Sequence, residues 1–261
     1  MAKPQLSSLL VFGVDFGLGS QAPAWSEQVA IARQVLALLE QHQISATWAL
    51  PQLRNSWIST LREARSRQEI ALQWNDTVVA QASDAFAFAA DMRARLRDAE
   101  SQELKINSLA IDPRSRVPYH VLAKSEIRMV RPTRIRSTHL VRSVQPQVMR
   151  HGVWGLPVSS FWPQPNRILQ QLSLQHLAYQ MRLASQQGHV LHVVLDLPMI
   201  ARHPEIHLGG AAKIMEQAAC LQNAELLRSA RLADVARLVQ QETMARSHHS
   251  ILRRSMQRQA S

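Results

Sequence analysis

Short, unbroken apolar runs that alternate with amphipathic helical stretches set the tightest limit on what this chain can fold into. In "LLVFGVDFGLGS" (9–20), Leu9 to Val14 are apolar without alternation, the pattern of a strand covered on both faces, and the run stops on Asp15. "SEQVAIARQVLALLEQHQ" then spaces Val29, Val35, Leu36, Leu38 and Leu39 along one helical face, with Ser26 as the expected N-cap. "ISATWAL" (44–50) returns to β-branched and aromatic residues over strand length. Strand, helix and strand in that order form a βαβ unit, which implies a parallel sheet.

The alternation continues. Helices are expected around 57–66, 83–100, 119–125, 165–187, 211–222 and 232–246, and strands at 69–74, 105–111, 127–130 and 189–197. No fixed-period repeat or linker divides the chain, so the expected class is α/β, as a layered sheet or a barrel. At 261 residues and 46% hydrophobic content the chain is long enough for one large domain.

Charge and cysteine content narrow the partners and the compartment. The net charge is +11, which favours an anionic partner. Residues 128–150 are rich in arginine and lack any acid, so they are expected to form an exposed excursion that could take an anionic polymer. Cys220 is the single cysteine, which excludes an internal disulfide and a thiolate metal cluster and fits a reducing, cytoplasmic setting. Residues 1–18 lack the layout of a secretory signal, and there is no uncharged apolar run of about 20 residues to span a membrane. The phosphate loop GxxxxGK, a GxGxxG turn after a strand and the GxSxG elbow are all absent.

Taken in order, several segments resemble the polysaccharide deacetylase (NodB-homology) family. "VLALLEQHQISATWAL" is similar to the family's helix and "ATW" strand, and "EARSRQEIALQW" to its "GHEIALH" segment. "SLAIDPRSRVPYHVLAKSEIRMVRP", "GVWGLPVSSFWP", "GHVLHVVLDLP" and "RLADVARLV" follow at matching positions, from about residue 9 to 240. The resemblance implies a deformed (β/α) barrel over residues 1–246, with a basic tail at 247–261. It also implies an activity: removal of acetyl groups from N-acetylated glycans by a metal-bound water.

The functional positions depart from that pattern. By resemblance Asp15 stands for the catalytic base, but Phe16 replaces the adjacent metal-binding acid, and Gln73 and Thr77 replace two metal-binding histidines. Arg114 matches the arginine that orients the base, and Asp196 stands where a histidine serves as general acid. Asp15, Arg114 and Asp196 are therefore the expected residual catalytic cluster. Gln73, Trp74, Thr77, Arg131 and Trp154 are the candidate substrate-binding residues, with Phe161 and Trp162 beside Trp154 as an apolar floor. An amide, a hydroxyl and a phenyl ring are poor ligands for a divalent transition metal. No metal is expected unless Asp15, His192 and Asp196 form a rebuilt zinc-type site. The expected function is a non-catalytic, deacetylase-like protein of carbohydrate metabolism that binds a glycan or a protein partner. The alternatives are an active amide hydrolase with a rebuilt site and an arginine-rich binder of nucleic acid or acidic polysaccharide.

Overall fold

Most of the strands described here are followed by a helix, and all strand pairs but one, β6 with β7, are parallel. The computed structural model describes residues 8–17, 22–74, 85–112, 115, 117–133, 143–163 and 167–243. In chain order the elements are β1 (Leu9–Asp15), α1 (Trp25–Gln41), β2 (Ala46–Leu50), α2 (Asn55–Arg62), β3 (Gln68–Trp74), α3 (Ala85–Ser101), β4 (Ser108–Ile111), α4 (Tyr119–Lys124) and β5 (Met129–Pro132). There follow β6 (Gln147–Val148), β7 (Trp154–Gly155), β8 (Ser160–Trp162), α5 (Arg167–Gln187), β9 (Val190–Asp196), α6 (Leu197–Arg202), α7 (Pro204–Asn223), β10 (Arg228–Ala230) and a last helix, α8 (232–243).

The 10-stranded sheet runs β6-β7-β5-β4-β3-β2-β1-β9-β8, with β10 beside β1. It curls into a deformed barrel because the segment 154–162, strands β7 and β8 and the irregular stretch between them, is shared between two neighbours. At its start β7 pairs with β5, and at its end β8 pairs with β9. Between them Leu156 N–H donates to Val130 O (2.9 Å) and Ser159 N–H to His192 O (2.8 Å). The segment joins the two walls.

Period-2 alternation then sorts the side chains. Leu10, Phe12 and Val14 of β1, Ile70, Leu72 and Trp74 of β3 and Leu191, Val193 and Leu195 of β9 face the helices in one large core. Leu9, Val11, Met129, Leu156 and Val190 face inward and pack on Leu232, Val235 and Ala236 of α8, which stops the amino-terminal end of the barrel. Polar residues occupy several of the remaining inward positions, between small or apolar ones such as Gly13, Ala71 and Val194. Near α8, the Glu69 carboxylate accepts from Thr47 Oγ1 (2.9 Å), Ser108 Oγ (2.6 Å) and Ala233 N–H (3.0 Å). It thereby satisfies one of the free amides that begin α8.

Several boundaries depart from the sequence reading. Helix α1 begins before Ser26, so Ser26 is not its cap; Glu27 Oε2 accepts from Ala24 N–H (3.2 Å) instead. Helix α7 starts at Pro204 rather than near 211, while α6, β10 and the short strands β6 to β8 have no counterpart in that reading. Residues 128–150 are not simply an exposed excursion, since Met129, Val130 and Arg131 form a buried strand. The proposed tail at 247–261, and with it the domain boundary at 246, lies outside the described residues. No helix among the described residues is long and apolar enough to cross a membrane.

One close approach fixes α7 against β8. A Cβ on Gly210 would lie 2.0 Å from Cζ2 of the fully buried Trp162, whose indole N–H donates to His207 O (3.1 Å). Gly210→Ala is expected to lower unfolding free energy by about 1–3 kcal/mol through overpacking. A urea titration measures this, and a change below about 0.5 kcal/mol, the size of an ordinary surface substitution, would mean that the indole moves freely.

Candidate functional site

Strand β1 delivers Asp15 to the carboxyl end of the barrel, where open α/β sheets and barrels place their chemistry. The turn after it is pinned by Gln28 of α1, which accepts from Gly17 N–H (2.8 Å) and donates to Gly17 O (3.2 Å) and Pro23 O (2.9 Å). Asp15 is 6% exposed, so its charge requires a partner.

The partner is Arg131. It projects inward from β5 and is completely buried. Its Nη1 donates to Asp15 Oδ2 (3.0 Å) and to Pro132 O (3.3 Å), and its Nη2 donates to Asp15 Oδ1. Gly13 makes room, because a Cβ there would stand 3.4 Å from the guanidinium carbon and 3.0 Å from Val194 Cγ2. Burial pushes the Asp15 carboxyl up from its ordinary value, and the Arg131 charge and hydrogen bonds oppose that rise. Both carboxylate oxygens are thus engaged.

This corrects the reading of Arg131 as a substrate-binding residue: a fully buried guanidinium with both terminal nitrogens engaged is part of the interior. Arg114, expected to orient Asp15, lies outside the described residues, as does Thr77.

Asp196 does come beside Asp15, since the two are register partners on β9 and β1. Its carboxylate caps α6 by accepting from Met199 N–H (3.1 Å). Gln73 reaches the same end from β3, buried, with its Oε1 lacking a hydrogen-bond partner among the described residues. Its backbone carbonyl and that of Pro51 each accept from Arg95 Nη1 (3.2 Å). Asp15, Gln73 and Asp196 therefore share one end of the barrel, two of them on adjacent strands.

The aromatic candidates go elsewhere. Alternation turns Trp74 away from Gln73 and into the helix layer, where it is 2% exposed, packs on Phe88 (4.4 Å between ring centres) and lies under Arg95 (5.0 Å). No face is left for a sugar. Trp154 packs against the inner cluster that includes Val11, as does Leu238 of α8, at the amino-terminal end. Trp162 is buried against α7. The expected aromatic rim and floor are not assembled from these residues.

His192 is a buried group that the resemblance did not single out, though its inward position on β9 marked it. Its Nδ1 is 3.0 Å from Pro157 O, which makes Nδ1 the protonated nitrogen, and its backbone N–H donates to Ser159 Oγ (3.0 Å). Burial, aided by the Arg131 charge, holds its pKa down to about 3. It is neutral. Nε2 finds no hydrogen-bond partner among the described residues.

These residues do not fit a transition metal. Phe16, in the position of the second acid, is 1% exposed and stacks on Trp25 (4.7 Å, 25°) and edge-on against Trp57 (5.7 Å), on the helix side. His192 precedes Asp196 by four strand residues, about 13 Å at the usual rise, so Asp15, His192 and Asp196 do not close a triad. Among the described residues no group of three or more His, Cys, Asp or Glu side chains is placed to hold a metal.

Comparison with known proteins places the chain as follows. It is similar to a solved structure described as a polysaccharide deacetylase involved in O-antigen biosynthesis from Bordetella bronchiseptica, with 7% identity, covering 82% of this chain and 91% of that one, at a TM-score of 0.47. It is similar to the peptidoglycan deacetylase PdaC from Bacillus subtilis, with 10% identity, 95% and 99% coverage and a TM-score of 0.49. A structure described as a CE4 family pseudoenzyme gives 11% identity, 89% and 68% coverage and a TM-score of 0.48. No protein-family model and no curated protein sequence matches the chain.

Proposed function

We propose that this chain is a deacetylase-like protein of carbohydrate metabolism that does not hydrolyse its ligand and acts instead by binding a glycan or a protein partner. The observation that carries the reading is the engagement of Asp15. A base must reach the proton it removes; an arginine that merely orients a base leaves one oxygen open, whereas this carboxylate is buried and both its oxygens accept from a guanidinium that is itself completely buried. The aromatic ring at position 16 adds to this, because it faces the helix layer where a ligating acid would have to face the barrel.

General-base catalysis alone supplies about 10²- to 10⁴-fold, below the roughly 10⁶-fold of ordinary enzymes. Binding needs less. Gln73 Oε1, which has no hydrogen-bond partner among the described residues, is the acceptor this reading assigns to a hydroxyl or amide N–H entering the end of the barrel where Asp15 lies. The cytoplasmic setting read from the single Cys220 belongs to this proposal.

The test pairs two measurements on N-acetylglucosamine oligomers. The expected result is no acetate release with or without added zinc, cobalt or manganese, together with calorimetric binding that weakens in Gln73→Leu. Acetate release that disappears in both Asp15→Asn and Asp196→Asn would overturn the reading and favour an active hydrolase.

A further inference from the structure

At the amino-terminal end of the barrel, far from Asp15, three guanidinium groups converge on one carboxylate. Asp234 on α8 is gripped in a fork by Arg231, Nε to Oδ2 at 2.9 Å and Nη2 to Oδ1 at 3.0 Å, and Oδ2 also accepts from Arg231 N–H (3.2 Å). Arg237, one turn along α8, brings Nη2 to within 3.3 Å of the same Oδ1. Arg67, just before β3, places Nη2 3.9 Å from it. One oxygen thus faces three cations.

The fork with Arg231 satisfies both oxygens of Asp234. Among the described residues, the Arg67 and Arg237 side chains, 62% and 60% exposed, are therefore left with a single weak polar contact each. A guanidinium offers five N–H donors in a rigid plane, so most of theirs face solvent. The neighbouring Glu69 lowers the local charge, since its field stabilises Arg231. It is buried and bound to Thr47, Ser108 and the start of α8, so it offers no oxygen to the two outer arginines.

Two guanidinium groups held near one shared oxygen repel each other, and an oxyanion placed between them removes that repulsion while accepting from both. Tetrahedral phosphate and sulfate esters match the arginine fork better than they match lysine. Charge distribution along the chain points the same way. Beyond Thr243, at the end of α8, the sequence adds Arg246, Arg253, Arg254 and Arg258 and no acid.

We propose that Arg67 and Arg237, braced by the Arg231–Asp234 fork, form a clamp for a phosphate- or sulfate-ester group. The clamp lies at the opposite end of the barrel from Asp15. The separation along β3, from Arg67 to Gln73, is about 20 Å. The site is therefore independent of the glycan reading of the carboxyl end.

Calorimetric titration of the full chain with inorganic pyrophosphate at low salt tests the clamp. Arg67→Ala/Arg237→Ala leaves the Arg231–Asp234 fork intact and should weaken binding at least tenfold, while Arg33→Ala on the exposed side of α1 should leave it unchanged. Arg67→Lys/Arg237→Lys keeps both charges and loses the planar forks, and it should fall between the parent and the alanine pair. A dT20 oligonucleotide and heparin distinguish a phosphodiester from a sulfated polysaccharide as the source. For whichever polymer binds, the slope of log affinity against log salt should drop by about 1.4 to 1.8 in the alanine pair, the loss of two phosphate contacts. The proposal is overturned if none of the three probes binds at low salt, or if the alanine pair binds like the parent.

Discussion

Replacing Arg131 by methionine is expected to destabilise the fold by about 3–5 kcal/mol, the usual effect of stranding one charge of a buried pair. Asp15 would remain 6% exposed inside the barrel with the guanidinium that engages both its oxygens gone. The second half of the prediction is the more informative. Asp15→Leu combined with Arg131→Met should recover most of the loss, because two apolar side chains of similar volume often match or exceed a buried ion pair. Urea titrations of the parent, both single variants and the double variant supply the cycle, and adding 0.5 M sodium chloride should leave the coupling nearly unchanged, since buried pairs are weakly screened. A single-variant loss under about 1 kcal/mol, the range of exposed ion pairs, would show that solvent reaches the pair and that Asp15 is free to act as a base. The same reasoning makes Asp15→Asn ambiguous alone as a test of catalysis, because it also strands Arg131.

The covered strands were legible because burial on both faces leaves an unbroken apolar run, as in β1, β2 and β9. The same feature hid the interior. In a continuous run nothing says which residues face the barrel, so Gly13 passes unnoticed as the gap through which Arg131 reaches Asp15. Arg131 was misread because composition counts charges without their direction. Only three residues, Met129 inward, Val130 toward the helices and Arg131 inward, carry its alternation, and the five other arginines of 128–150 suggested an exposed basic stretch. Two- and three-residue strands such as β6, β7 and β10 are too short for any period to register.

Asp196 illustrates a different loss. The run Asp196-Leu197-Pro198 carries a helix-start signal, an N-cap acid with proline in the first turn. Reading Asp196 as a displaced general acid set that signal aside. The start of α7 was lost to Gly209 and Gly210, which disfavour helix by about 1 kcal/mol each relative to alanine. Gly210 stays because Trp162 occupies the space that a side chain would need. At Gly210 a local propensity is overruled by a contact made across the fold, whereas at Asp196 the local signal prevails.

Acid should weaken the fold through His192, and the direction follows from its burial. The folded chain holds its pKa near 3 against an ordinary value of 6.5. Between those limits the unfolded chain takes up a proton that the folded chain refuses. The stabilisation is complete above about pH 6.5 and declines by about 1.4 kcal/mol per unit as pH falls toward 3, or roughly 3 kcal/mol at pH 4.5. Asp15 and Glu69, whose pKa values burial raises, act in the opposite sense: the fold favours their protonated forms, so their contribution is greatest in acid and is lost as pH rises through their folded values. Their opposing slopes hide the histidine in any single curve. Comparison with His192→Asn isolates it, because an asparagine amide reproduces the Nδ1 donor to Pro157 O without titrating. The stability advantage of the parent over this variant should shrink by about 3 kcal/mol between pH 7 and pH 4.5. If the two curves run parallel instead, His192 gains its proton inside the folded barrel. Water would then reach the interior beside Arg131, and the proposal that Asp15 is held out of reach as a base would lose its support.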